Sequence, residues 1–263
     1  MASGLLVVAA AAVPARADLL AEIAANAGCP ECNLDRASLR GLSVEKADFT
    51  DARMIEADLK SSTLAEAIFH DARMQRIEME QSQAERADFS GASMRDADLE
   101  KSNLTDAAFR NTDLRDADFA NAEIGGADFT KADLRAAFLR RVSGARVVFV
   151  SAKMDRADLE RALLSGADFT KARLTGADLD RADLSKSALM KADLSKARLS
   201  STDLTGADLR EADLEDALLR RTRFAGADLS TTRGLEQDQL HMACGDSETR
   251  LPEGMTIPFC SGE

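Results

Sequence analysis

A period of five runs through most of this chain, and it excludes both ordinary secondary structures. In "GADFTKARLTGADLDRADLS", residues 166–185, a small, a polar and a large residue recur four times. In an α-helix, five residues advance about 500°, so successive large residues would point about 140° apart and no apolar stripe would survive. In one straight strand, an odd period throws successive large residues to opposite faces. Within a unit, however, Ala167 and Phe169 stand two apart with Asp168 between them, which is local strand geometry with two residues inward and one outward. Thr170 and Lys171 must then turn the chain so that Ala172 and Leu174 face inward again. The spacing predicts a chain coiled around a filled axis.

The large residue of each unit, its centre, runs from Leu34 to Leu229 in steps of five without insertion or deletion, forty in all. Repetition on this scale means a solenoid. Of the forty residues two before a centre, 28 are Ala, so the interior is narrow there. Phe49, Phe69, Phe89, Phe109, Phe129, Phe149 and Phe169 are spaced by 20, as are Met54, Met74 and Met94, and Ser62, Ser82 and Ser102. Twenty residues therefore make a coil of four sides. Coils stacked at the strand spacing of about 4.8 Å give about ten coils and a rod of roughly 48 Å. Gly41, Gly91, Gly126, Gly166, Gly176, Gly206 and Gly226 fall two after a centre, at corners that need a permissive backbone. No Pro occurs between Pro30 and Pro252, as expected where each N–H is needed between coils.

A solenoid needs covered ends. Residues 18–31 are expected to form an N-terminal helical cap, with the helix over 18–28, ahead of repeats spanning 32–229. Residues 230–263 leave the register and are expected to form a C-terminal cap with a helix over 235–243. Residues 1–17 hold an apolar run followed by Ala15-Arg16-Ala17, which fits a cleaved signal peptide without the usual basic start. The run is too short to span a membrane. The expected location is periplasmic or secreted, with the cytoplasm as the alternative.

Four cysteines allow three pairings. Cys29 and Cys32 precede the first coil and Cys244 and Cys260 follow the last, so a rod of roughly 48 Å lies between pairs that a disulfide could bridge only within about 7 Å. The expected bridges are Cys29–Cys32 and Cys244–Cys260. The same separation opposes a four-cysteine zinc site, and a redox role would need Cys29-Pro-Glu-Cys32 to open a helix beside a sheet.

Catalytic, cofactor and metal residues are expected to be absent. The chain has two histidines, no Tyr and no Trp, and its many aspartates occupy the polar repeat position. No phosphate loop and no basic groove is legible, and a net charge of −12 opposes direct nucleic acid binding. The candidate interaction surface is an acidic ladder of Asp58, Glu78, Asp98, Asp118, Asp158 and Asp178, interrupted by Phe138. Lys60, Lys101, Arg140, Arg141, Arg161 and Arg181 lie at its edge. Around residues 138–150, Gly144 replaces a centre, Val142 and Val147 replace small residues, and Phe138, Val148 and Val150 are predicted to point outward. Those outward residues form either an apolar docking patch or the by-product of compensating packing.

In "ADLDR", "ADLSK" and "GADFT" the chain resembles the pentapeptide repeat family over about residues 32–229. The resemblance implies an all-β fold, a right-handed quadrilateral parallel β-helix with short helical or irregular caps. Function varies within that family. The expected function is a non-enzymatic, exported structural or protein-binding module that presents a rigid rod to an unknown protein partner, with the caps offering a route to a dimer. The alternative, implied by members that imitate duplex DNA, is a cytoplasmic acidic mimic that binds a DNA-handling protein such as gyrase. A thiol enzyme at the first cysteine pair is the third class.

Overall fold

Alternation of small and large inward residues dictates the core, and the computed structural model, which describes residues 16–260, shows how. Every centre from Leu34 to Leu229 is buried except Gly144, and so is every inward small residue from Leu42 to Ala227. The middle residue of each unit forms a parallel bridge with the residue twenty further on, from Gly28–Asp48 to Asp213–Arg233. Four such ladders run along the rod, here called the Asp48, Arg53, Asp58 and Thr63 sides.

In the unit from Asp58 to Ser62 hydrogen bonding leaves no N–H idle. Asp58 N–H donates to Ala37 O at 2.9 Å on the coil below, and Leu59 and Ser61 donate to Glu78 O and Glu80 O at 2.7 and 3.0 Å on the coil above. Ser62 N–H closes the corner onto Leu59 O at 3.2 Å. The remaining donor, Lys60 N–H, meets the Asp58 carboxylate two residues back at 3.0 Å. The same bond recurs at Thr50–Asp48, Ser90–Asp88, Thr130–Asp128, Thr170–Asp168 and Ser185–Asp183. The repeat aspartate is thus a side-chain acceptor for an otherwise unpaired backbone donor. Where Arg53 or Arg198 stands in the middle and cannot accept, Asp35 or Asp180 of the coil below takes the N–H of Ile55 or Ser200.

Each corner costs backbone strain. The second corner residue, at forty positions from Glu31 to Gly226 in steps of five, has φ between 54° and 74° at each, and only seven are glycine. A side-chain-bearing residue in this left-handed region costs roughly 1–2 kcal/mol. Its N–H bond to the next coil and the turn closed behind it hold it there.

Inside, seven phenylalanines from Phe49 to Phe169 stack on the Asp48 side, with ring centroids 4.8–5.1 Å apart. Phe119 meets Phe109 and Phe129 edge-on at 5.8 Å. Buried hydroxyls at small positions, Ser82 excepted, bond backward, as Thr202 Oγ1 does to Leu179 O at 2.7 Å.

The ends differ in detail from the sequence expectation. Helix α1 spans Arg16–Ala25, with Ile23 buried against the first coil. It stops at Ala27 and Gly28, both with positive φ, and a Cβ on Gly28 would lie 2.2 Å from Asp48 O. Of the expected signal peptide, residues 1–15 lie outside the described residues, and Arg16 and Ala17 open α1. Helix α2 is shorter than expected, Gln237–Leu240. It ends early because the following chain is drawn out to pair with the last coil: Arg221 donates to Met242 O at 2.6 Å and Phe224 to Cys244 O at 2.8 Å. The tail leaves the five-residue register but not the ladders, bridging Arg223 to Cys244, Asp228 to Arg250 and then Gly245 to Phe259. Among the described residues no helix is long and apolar enough to cross a membrane.

Candidate interaction surface

The four ladders sort the outward residues onto distinct sides. On the Asp58 side the bridges join Asp58, Glu78, Asp98, Asp118, Phe138, Asp158 and Asp178 in one unbroken column, followed by Arg198 and Leu218. Cations from the corners, and Arg198 from the column itself, reach part of it. Lys60 lies 3.2 Å from Glu78, Arg140 2.5 Å from Asp158 and Arg198 3.2 Å from Asp178. Lys101, Arg161 and Arg181 pair instead with the corner residues Glu100 and Glu160, at 2.7, 3.6 and 3.5 Å. Burial, reinforced by Asp98 and Glu100, lifts the Asp118 carboxyl above the usual range for aspartate; burial, with Asp180 and Asp158, does the same at Asp178. Phe138, 46% exposed, stands between Asp118 and Asp158 and breaks the line of charge.

The notion of one apolar patch around residues 138–150 is corrected. Phe138 belongs to the Asp58 side, whereas Val148 belongs to the Asp48 side between Asp128 and Asp168. They are ten residues apart, half a coil, and so face opposite ways. The packing explanation holds: a Cβ on Gly144 would sit 2.9 Å from Val147 Cγ2, so the valine already fills the space a larger centre would occupy. On the Asp48 side, charge and apolarity alternate coil by coil: Asp48, Ile68, Asp88, Ala108, Asp128, Val148, Asp168, Ala188, Asp208.

Both expected cysteine pairs are bridged, with Cα–Cα separations of 5.6 Å for Cys29–Cys32 and 4.7 Å for Cys244–Cys260. Cys29 and Cys32 follow α1 and bond into the first coil, Cys29 N–H to Asp48 O and Arg53 N–H to Cys32 O, so the pair does not open a helix. Among the described residues no group of three or more His, Cys, Asp or Glu is placed to hold a metal ion. His70 and His241 each lie beside an aspartate, Asp71 and Asp238, at 2.9 and 3.7 Å.

The expectation that no basic groove exists also needs correction. Arg181, Arg198, Arg220 and Arg221 line one concavity at the corner between the Asp58 and Thr63 sides, with Asp180, Ser200 and Ser201. They are scattered along the sequence, but Arg181 and Arg221 share a corner phase with Ser201 between them. The twenty-residue period brings Arg181 and Arg221 together at this corner but does not collect Arg198 or Arg220 with them.

A filled, four-sided parallel coil with an in-register ladder on each side defines the class of the molecule, a β-solenoid built from five-residue units. The chain belongs to the pentapeptide repeat family: eight copies of its model match, at residues 32–71, 67–106, 85–121, 97–135, 127–166, 157–195, 167–206 and 197–233. Among solved structures it is similar to HetL, a pentapeptide repeat protein involved in heterocyst differentiation regulation from the cyanobacterium Nostoc, at 26% identity over 90% of this chain and 97% of that one, with a TM-score of 0.41. It is also similar to a trypsin-treated form of QnrB1, a plasmid-mediated fluoroquinolone resistance protein, at 21% identity over 66% of this chain and 87% of that one, TM-score 0.46. A third is a pentapeptide repeat protein from the thylakoid lumen of Arabidopsis thaliana, at 32% identity over 43% of this chain and 70% of that one, TM-score 0.19. No curated protein matches the chain at a significant level.

Proposed function

We propose that this chain is a non-enzymatic, exported module that presents a rigid rod to a protein partner. The placement of its cystines carries the reading: one closes the approach to the first coil, the other ties the tail to the last, and no described cysteine is free. Disulfides persist in oxidising compartments and are rare in the cytosol. The signal-like residues 1–17 agree with this. In this reading residues 32–229 form a right-handed stack of about ten coils between caps at 18–31 and 230–263, and the column from Asp58 to Asp178 is the surface offered. Intact mass and N-terminal sequence of protein from cell fractions test it. Export predicts a mature start at Asp18 and a mass short by four protons. A full-length cytoplasmic protein with free thiols overturns it.

A second reading, the acidic DNA mimic, is favoured by one observation: Asp58, Glu78, Asp98 and Asp118 succeed one another without interruption. Their charge is sparse by comparison, one per coil of about 4.8 Å against one per 3.4 Å along a DNA strand. Protection of gyrase supercoiling by the purified chain, lost on replacing these four by amides, would support it. Absence of any effect on gyrase would remove it.

A further inference from the structure

An acidic protein with four arginines around one concavity has concentrated its positive charge for a reason, and the site begins where the acidic column ends, at Asp178 and Arg198. Arg198 is held in place by Asp178, at 3.2 Å, and by Asp180, whose other oxygen accepts the Ser200 N–H at 2.9 Å. Arg181 leans down toward Glu160 at 3.5 Å. Arg220 and Arg221 have no carboxylate partner among the described residues and are exposed at the rim. Arg198, fixed on one side, and Arg220 and Arg221 on the other line the concavity together with Arg181, Ser200, Ser201 and the Asp180 carboxylate.

We propose that this concavity binds a phosphomonoester dianion. A carboxylate offers two oxygens and one charge, which a single guanidinium fork satisfies. Here two guanidinium groups have no carboxylate partner among the described residues and further donors surround them, which suits a tetrahedral group with three or four oxygens and two charges. The phosphomonoester belongs to a soluble metabolite or to a phosphatidic acid headgroup; the chemistry at the site is the same.

The full chain is titrated with inorganic phosphate at low, constant ionic strength, followed by calorimetry. Saturable binding is expected, weakened roughly tenfold or more in the Arg220→Ala/Arg221→Ala double variant, whose exposed positions leave the thermal midpoint unchanged. The Arg220→Lys/Arg221→Lys pair keeps the charge but not the fork and falls between. Arg73→Ala, on the Arg53 side, leaves binding as in the parent. Sedimentation with phosphatidylcholine vesicles containing about one-fifth phosphatidic acid separates the sources: co-sedimentation lost in the double alanine variant assigns the lipid, and its absence beside phosphate binding assigns a soluble ester. No saturation by phosphate, equal affinity in the double alanine variant, or tighter binding of polyglutamate than of phosphate overturns the proposal.

Discussion

Aspartate dominates the outward position because its carboxylate takes the one backbone N–H that neither the coils nor the corner turn can satisfy. Asp168→Ala frees the Thr170 N–H, now bonded at 2.8 Å, and is expected to cost about 0.5–1.5 kcal/mol, whereas Asp168→Asn keeps the acceptor and should cost less. Urea unfolding of the two variants distinguishes them; equal losses would mean that charge rather than the bond matters. The corner offers a cleaner case. Nothing lies within 4 Å of a Cβ built on Gly166, so Gly166→Ala should destabilise by about 1 kcal/mol through backbone strain alone, and Lys171→Gly should be neutral or stabilising. These carboxylates read in the sequence as the polar position of the repeat. Their spacing made a repeat position legible, but the bond to the residue two ahead was not, because it depends on where the corner N–H points.

Stacking governs the coil. Phe109 touches rings above, below and beside it, and Phe109→Ala should cost about 3–5 kcal/mol, since flanking coils held by ladder bonds cannot collapse into the gap. Thermal unfolding checks this, and a loss under 1 kcal/mol would mean the stack relaxes. The centres, the coil of four sides and the glycine corners could all be read from the sequence because each leaves a mark at five or twenty residues. The tail could not. It pairs with the last coil at offsets of 21 and 22 residues, from Arg223 to Cys244 and from Asp228 to Arg250, so periodicity loses it although the hydrogen bonds continue. The arginine concavity was hidden for another reason: its members come from a side, Arg198, and from corners, Arg181, Arg220 and Arg221, which no single phase collects.

Over the whole molecule, acid is expected to destabilise. Among the described residues ten carboxyls, including Asp113 and Asp133 beside Arg115 and Arg135 and Asp193 beside Ser195, are held below their ordinary values, while Asp118 and Asp178 are held above. A lowered carboxyl contributes stability that is present above its unfolded value near 4 and is lost as pH falls through the folded value. The two raised groups act in the opposite sense, so Asp118→Asn should stabilise near neutral pH and lose that advantage below about pH 4. The thermal midpoint should therefore drop between about pH 5 and pH 2; a rise would contradict the assignment. Reducing Cys244–Cys260, which closes a separation of 16 residues, should cost about 3 kcal/mol at the C-terminal end. Because each coil touches only its neighbours, hydrogen exchange should accelerate there first and leave the middle coils protected.

The alternation on the Asp48 side has an implication for shortening the rod. Asp48, Asp88, Asp128, Asp168 and Asp208 recur every forty residues, with Ile68, Ala108, Val148 and Ala188 between them. The repeating module on this side is then a pair of coils rather than one. Excising forty residues would restore the same sequence of neighbours across the scar, whereas excising twenty would set aspartate directly on aspartate. Where that adjacency does arise, at Asp208 and Asp228, Arg210 stands against both and Arg250 against the second. Shortened variants made in steps of two coils should keep their stability per coil better than those made in odd steps.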